Sequence, residues 1–229
     1  MTRFYDYWLK GIDNGIMDEP PIAIYVQEYD PPANNRPLTS GSWRYETAYP
    51  PARREDVAWY LGPDTLSMEA ADIGAATVET HPAVGMTFGM FSAGSPLVLP
   101  GDQRPEEAYS AVFTSAVLAE PLEILGRPRL TFQAATDAEV TTFAARLCEV
   151  APDGSSALIT KGVLNATHRK SHTDPTPLVP GEPYTFTIDL DETSWQFTPG
   201  HRVRLSISHA DFPNAWPAPT LCTSQITRV

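Results

Sequence analysis

VTTFAARLCEVAPDGSSALITKGVLNAT, residues 140–167, reads as two long strands around a turn. Ala151-Pro152-Asp153-Gly154 separates two β-favouring runs: proline fixes φ where the turn starts, and Asp-Gly allows positive φ where it ends. In the first strand Ala145 and Leu147 share one face and Arg146 takes the other, while Phe143 and Val150 add apolar surface. The return strand, Ala157 to Thr167, is apolar on both sides apart from Lys161 and Asn165. That pattern predicts a place inside a sheet covered on both faces, since an edge strand is more polar.

The same period of two recurs on either side of this hairpin. Leu130, Phe132 and Ala134 alternate with Arg129, Thr131 and Gln133; Tyr184, Phe186, Ile188 and Leu190 alternate with Thr185, Thr187 and Asp189. After the Pro199-Gly200 turn, Val203, Leu205 and Ile207 alternate with Arg202, Arg204, Ser206 and Ser208. Upstream, Ile22–Val26, Val57–Leu61 and Ala111–Thr114 read as strands. Residues 31–51 read as loop with an aromatic stretch, Trp43–Glu46. Residues 64–105 read mostly as long ordered loops with a loose apolar cluster at Met86, Phe88, Met90 and Phe91. Helical spacing occurs once, in Thr2–Lys10, where Phe4, Tyr7, Trp8 and Leu9 recur with Gly11 at the expected C-cap. Many half-buried strands joined by turns and long crossovers bury their apolar faces by stacking two sheets. The fold expected is an all-β jelly-roll (Greek-key) β-sandwich with one short N-terminal helix.

The 229 residues are 42% hydrophobic and 19% charged, enough for one sizeable core. Twenty-three prolines, spread along the chain, indicate many short elements with ordered loops. A formal charge of −12 argues against a nucleic-acid partner, which needs a cationic surface to displace counterions. MTRFYDYWLKG lacks the apolar core of a signal peptide and no run reaches a membrane span, so the expectation is a cytoplasmic chain with no membrane partner.

No stretch carries a catalytic constellation. Phe91-Ser92-Ala93-Gly94-Ser95 lacks the first glycine of a nucleophile elbow and no helix follows it. Ser208-His209-Ala210-Asp211 holds triad residue types, but neighbours on a strand point to opposite faces. His168 and His172 have a spacing that makes a metal pair only on a helix, and the Pro-rich run after Asp174 argues for loop. Asp13-Asn14-Gly15 is better explained by a turn than by a calcium loop. Cys148 and Cys222 lie in strand-like runs and read as small core residues, with no histidine placed beside either by sequence. The expectation is no catalytic residue, no metal and no cofactor. The aromatics Phe4, Tyr7, Trp8 and Trp216, the last in Phe212-Pro213-Asn214-Ala215-Trp216-Pro217, suit a docking surface.

Several blocks, in order, resemble the C-terminal part of the X-Pro dipeptidyl-peptidase (S15) and CocE/NonD family of serine hydrolases. They are residues 4–15 (FYDYWLKGIDNG), Trp59-Tyr60-Leu61, Gly101-Asp102-Gln103-Arg104, Phe113-Thr114-Ser115, residues 146–150 (RLCEV) with Pro152-Asp153-Gly154, and residues 199–208 (PGHRVRLSIS). The resemblance implies a three-part enzyme: an α/β-hydrolase core with a Ser-Asp-His triad, a helical cap, and a non-catalytic C-terminal jelly roll. It implies that residues 1–19 are the last helix and linker of the hydrolase domain, and that residues 20–229 are the jelly roll, stopping short of the family's usual end. The triad then lies upstream, which makes the chain inactive alone and its partner an α/β-hydrolase catalytic domain. Such a domain covers the core, shapes the active-site mouth and mediates homo-oligomer contacts. In that setting Phe88 and Phe91 are expected to wall the substrate pocket. A different class of function is a stand-alone carbohydrate- or protein-binding β-sandwich module, with Trp43, Tyr45 and Tyr49 as its platform.

Overall fold

The structure is a computed structural model and describes residues 1–70, 74–86 and 99–228. Helix α1 (Thr2–Lys10) precedes a chain that is β in every long element. The upstream strands are β1 (Ile22–Glu28), β2 (Gly41–Glu46), β3 (Tyr60–Leu61), β4 (Leu66–Ser67) and β5 (Ala76–Glu79). A single turn of helix, α2 (Arg104–Glu107), leads into β6 (Ala111–Thr114), β7 (Leu122–Gly126) and β8 (Arg129–Thr136). The hairpin β9 (Thr142–Val150) and β10 (Ser156–Asn165) follows, then β11 (Pro183–Asp189), β12 (Thr193–Phe197), β13 (Arg202–Ser208) and β14 (Thr223–Arg228).

Alternation in the sequence becomes two facing sheets. Strand β8 buries Leu130, Phe132 and Ala134 and pairs antiparallel with β11, placing Phe132 opposite Phe186. On the solvent side of that pair, Thr131 meets Thr187 at 3.3 Å and Arg129 meets Asp189 at 2.5 Å, cross-strand pairs of the kind that fix register. This sheet runs β11-β8-β14-β5, and the one against it runs β10-β9-β13-β6. Phe143 of β9 bridges the layers, its ring centroid 5.1 Å from Phe132 and 4.8 Å from Phe186. The result is the expected sandwich, with an aromatic centre between its sheets.

The β9–β10 hairpin forms as the sequence predicts. Gly154 takes φ +84°, its N–H donates to Ala151 O at 2.9 Å, and Ala151 N–H donates to Ser155 O. The predicted position of β10 is wrong, because β10 is the edge strand of its sheet and β9 the interior one. Its apolar character has another cause: the chain leaving β11 covers its free side. Asp191 N–H donates to Lys161 O, Thr160 Oγ1 donates to Asp191 O, and a Cβ on Gly162 would sit 2.5 Å from Asp189 O. Glycine is what lets that backbone approach so closely.

Two further expectations are corrected. Residues 31–51 are not wholly loop, since Trp43 and its neighbours form β2, paired with β1 from Ile22–Glu46 to Gln27–Gly41. The connecting loop is held by Asp30, which accepts from Ser40 N at 2.8 Å and Ser40 Oγ at 2.6 Å. Of Val57–Leu61 only Tyr60–Leu61 is strand, and Val57 is exposed. The described residues of 64–105 are mostly loop, interrupted by the short strands β4 and β5 and by the start of α2. Strands β1 and β2 form a third sheet with β12 and β7, in the order β2-β1-β12-β7, through a short parallel contact of β1 with β12. The outer face of β9 and β13 is closed by the chain around α2, where Gln103 N–H donates to Ser156 O and Glu107 accepts from Arg204 Nη1 at 2.6 Å.

Candidate functional site

Helix α1 stops because Gly11 turns into the left-handed region at φ +66°. Lys10 pairs with Asp6 at 2.7 Å one turn away, and the helix is moored to the following turn by Asn14, whose side-chain amide donates to Arg3 O while Arg3 Nη2 donates to Asn14 O. Arg3 also pairs with Glu19 at 2.7 Å. No residue of the helix is buried. Phe4 is 50% and Trp8 56% exposed, whereas Tyr7 is half-buried. Their rings touch along the helix: Tyr7–Trp8 at 5.2 Å and Phe4–Trp8 at 6.3 Å. The structure therefore brings together three of the four predicted docking residues.

The fourth, Trp216, is 84% exposed and lies elsewhere, its ring 6.1 Å from Phe212. Its loop is pinned at both sides. Ala215 N–H donates to Asp211 O and Phe212 N–H to Val84 O, while Gly85, at φ +108°, leaves no room for a Cβ against Phe212. Beneath it Asp211 is fully buried, accepting from Arg146 Nη2 at 2.7 Å and from Lys161 Nζ at 2.6 Å. Arg146, also fully buried, donates further to Ser208 Oγ at 2.9 Å and Ala210 O at 3.1 Å.

The residues 208–211 do not form a triad. Ser208 and Asp211 turn toward Arg146, while His209 turns away to Thr141 Oγ1 at 3.1 Å and Thr142 O at 3.0 Å. On that side the structure holds a neighbour that sequence gave no sign of: Cys222 Sγ lies 3.0 Å from Thr141 Oγ1 and 3.3 Å from Thr80 Oγ1. Three distant segments meet there, so no local spacing could announce the cluster. His168 and His172 also come together, with Nδ1 atoms 3.3 Å apart, although only His168 ends a short 3-10 turn and no α-helix carries them. Among the described residues no group of three or more His, Cys, Asp or Glu has the arrangement of a metal site. Phe88, Phe91 and the 91–95 run lie outside the described residues. No helix among the described residues is long and apolar enough to cross a membrane.

The profile of the family described as "X-Pro dipeptidyl-peptidase C-terminal non-catalytic domain" matches residues 14–227. The chain belongs to this family. Among its relatives, a Mycobacterium bovis protein whose name places it provisionally among serine esterases is 32% identical, over 92% of this chain and 36% of its own length. The cocaine esterase of a Rhodococcus species is 28% identical over 92% of this chain and 37% of that enzyme. The solved aminopeptidase of a marine-sediment Thaumarchaeota archaeon superposes with a TM-score of 0.79 at 20% identity, covering 98% of this chain and 41% of that one. A domain of this family thus accounts for nearly all of the chain, and the chain spans just over a third of the curated relatives it matches.

Proposed function

We propose that this domain packs on the α/β-hydrolase catalytic domain of a serine ester or peptide hydrolase and shapes the mouth of its active site. The observation that carries the reading is α1, an amphipathic helix none of whose residues is buried. A helix of this length is marginal in water without tertiary contacts, and Phe4, Tyr7 and Trp8 are the kind of large aromatics that anchor interfaces. The docking surface is this face, with Trp216, exposed on a separate loop, as a second point of contact. Trp8→Ala is expected to weaken association with a separately supplied catalytic domain of a family relative by about tenfold or more, read by isothermal titration. Unchanged affinity rejects α1 as the docking face.

The apolar run containing Phe88 and Phe91 is assigned to the pocket wall, on its sequence and its family membership. Phe88→Ala with Phe91→Ala, placed at the matching positions of a complete relative, is expected to raise KM severalfold with little change in kcat, because a wall contributes binding more than chemistry. Identical kinetics remove that assignment. One observation favours the second reading, a carbohydrate- or protein-binding module: Trp43 and Tyr45 are exposed on the same face of β2, with Tyr25 packed edge-on against Trp43 at 5.3 Å. A glycan array separates the two readings.

A further inference from the structure

Both cysteines are free and buried, yet their settings are opposite. Cys148 is wholly enclosed in the interior strand β9, and burial, with Glu107 near, pushes its thiol up to about 12. Cys222 stands one residue before β14, next to the exposed Leu221. Its own N–H donates to Thr80 Oγ1 at 3.0 Å, and the same hydroxyl lies 3.3 Å from the sulfur. Thr141 Oγ1 sits between Cys222 Sγ, at 3.0 Å, and His209 Nδ1, at 3.1 Å. The His209 ring is packed on Phe143 at 4.8 Å and is 1% exposed, and its Nε2 is a buried nitrogen with no hydrogen-bond partner. The ring nitrogen that faces the cluster is Nδ1, which donates to Thr142 O at 3.0 Å.

We propose that Cys222 is a modification site: a nucleophilic sulfur, held by His209, Thr141 and Thr80, that small hydroperoxides oxidise and soft electrophiles alkylate. Burial by itself raises this thiol. The hydrogen bond and charge of His209, then the two threonine hydroxyls, outweigh burial and bring it to about 7. The other titratable groups on the packed segments include Asp137, whose carboxylate accepts Thr223 N–H at 2.8 Å, Glu139 two residues before Thr141, Asp211, paired with Arg146 and Lys161, Glu79 opposite Thr223 on β5, and His81, stacked on Tyr109. In the oxidation the thiolate attacks one oxygen of hydrogen peroxide and the O–O bond breaks. The departing hydroxide takes up the proton that the thiol released on ionising. Sulfur gives up two electrons to become a sulfenic acid, and the peroxide is reduced to water.

The test uses the intact chain, treated with iodoacetamide across about pH 5–9, or with hydrogen peroxide followed by dimedone, each cysteine being followed by peptide mass spectrometry. Expected are alkylation of Cys222 with a midpoint at about 7 and a sulfenic acid at Cys222, while Cys148 stays unmodified. His209→Gln is expected to move the midpoint up toward the ordinary thiol range and to slow alkylation at neutral pH roughly tenfold. Modification of Cys222 no faster than Cys148, labelling only after unfolding, or an unchanged profile in a folded His209→Gln variant overturns the proposal. If that variant does not fold, the contrast between the two cysteines in the unaltered chain decides it.

Discussion

Asp211→Ala is expected to cost about 3–5 kcal/mol of folding stability, seen as a fall in Tm of roughly 10 °C. Its carboxylate is fully buried and bridges two cations, Arg146 at 2.7 Å and Lys161 at 2.6 Å. Removing it leaves the Arg146 guanidinium enclosed, with Ser208 Oγ and Ala210 O to accept from it among the described residues. Lys161 is nearer the surface and its long stem lets the ammonium move toward water, so most of the loss falls on Arg146. It follows that Arg146→Met with Asp211→Leu loses much less than the sum of the single changes, since an apolar pair of similar shape replaces a buried ion pair at little cost. Calorimetry on the four proteins of that cycle checks both statements, and a single variant within about 2 °C of the parent would falsify the first. Asp211 also begins the loop that presents Trp216, so the ion pair fixes one end of the proposed docking surface.

What the sequence reveals follows from what sequence patterns encode. Strands β8, β11 and β13 have one face on the core and one toward a polar environment, and their alternation is plain in the residues. Strand β10 misleads because apolar residues signal burial, not the direction from which cover comes. Here it comes from a chain crossing the sheet edge beside Gly162. Short strands such as β3, β4 and β5 carry too few residues for any period to show; β3 and β4 pair with each other, and the partner of β5, strand β14, lies far away in sequence. The candidate site divides in the same way. The aromatic face of α1 is local and helical, so it is readable. The meeting of Cys222 with His209 and Thr141 depends on three segments converging, which no spacing records. Alternation puts Arg146 on the face opposite Ala145 and Leu147, as the structure has it, but nothing in residues 140–167 tells that this face is covered or that Asp211 awaits the charge.

Glu149→Ala is expected to destabilise the protein by about 3 kcal/mol or more and to loosen the third sheet before the sandwich itself. This carboxylate is wholly buried on the core side of β9, among residues that otherwise are apolar. One oxygen accepts from Trp195 Nε1 at 2.6 Å; the other accepts from Thr198 N at 2.8 Å and lies 2.8 Å from His201 Nδ1. Trp195 belongs to β12, which joins β1 and β7, and His201 packs edge-on against Tyr29 at 4.7 Å just beyond β1. Tyr29 in turn bonds Ser155 at the β9–β10 turn, with 2.7 Å between the hydroxyls. Glu149 is thus a clasp between the β2-β1-β12-β7 sheet and the sandwich, and alanine leaves the Trp195 indole and the Thr198 amide without an acceptor in the interior. Hydrogen exchange locates the effect as urea unfolding measures it. The Thr198 amide and those of β12 should exchange faster in the variant while β8 and β11 keep their protection. Uniform acceleration across all three sheets would mean that Glu149 supports the core as a whole rather than the junction. Glu149→Gln retains one carbonyl acceptor and turns the other position into a donor facing Thr198 N–H or the indole, so it should recover part of the stability and leave the junction the weakest point.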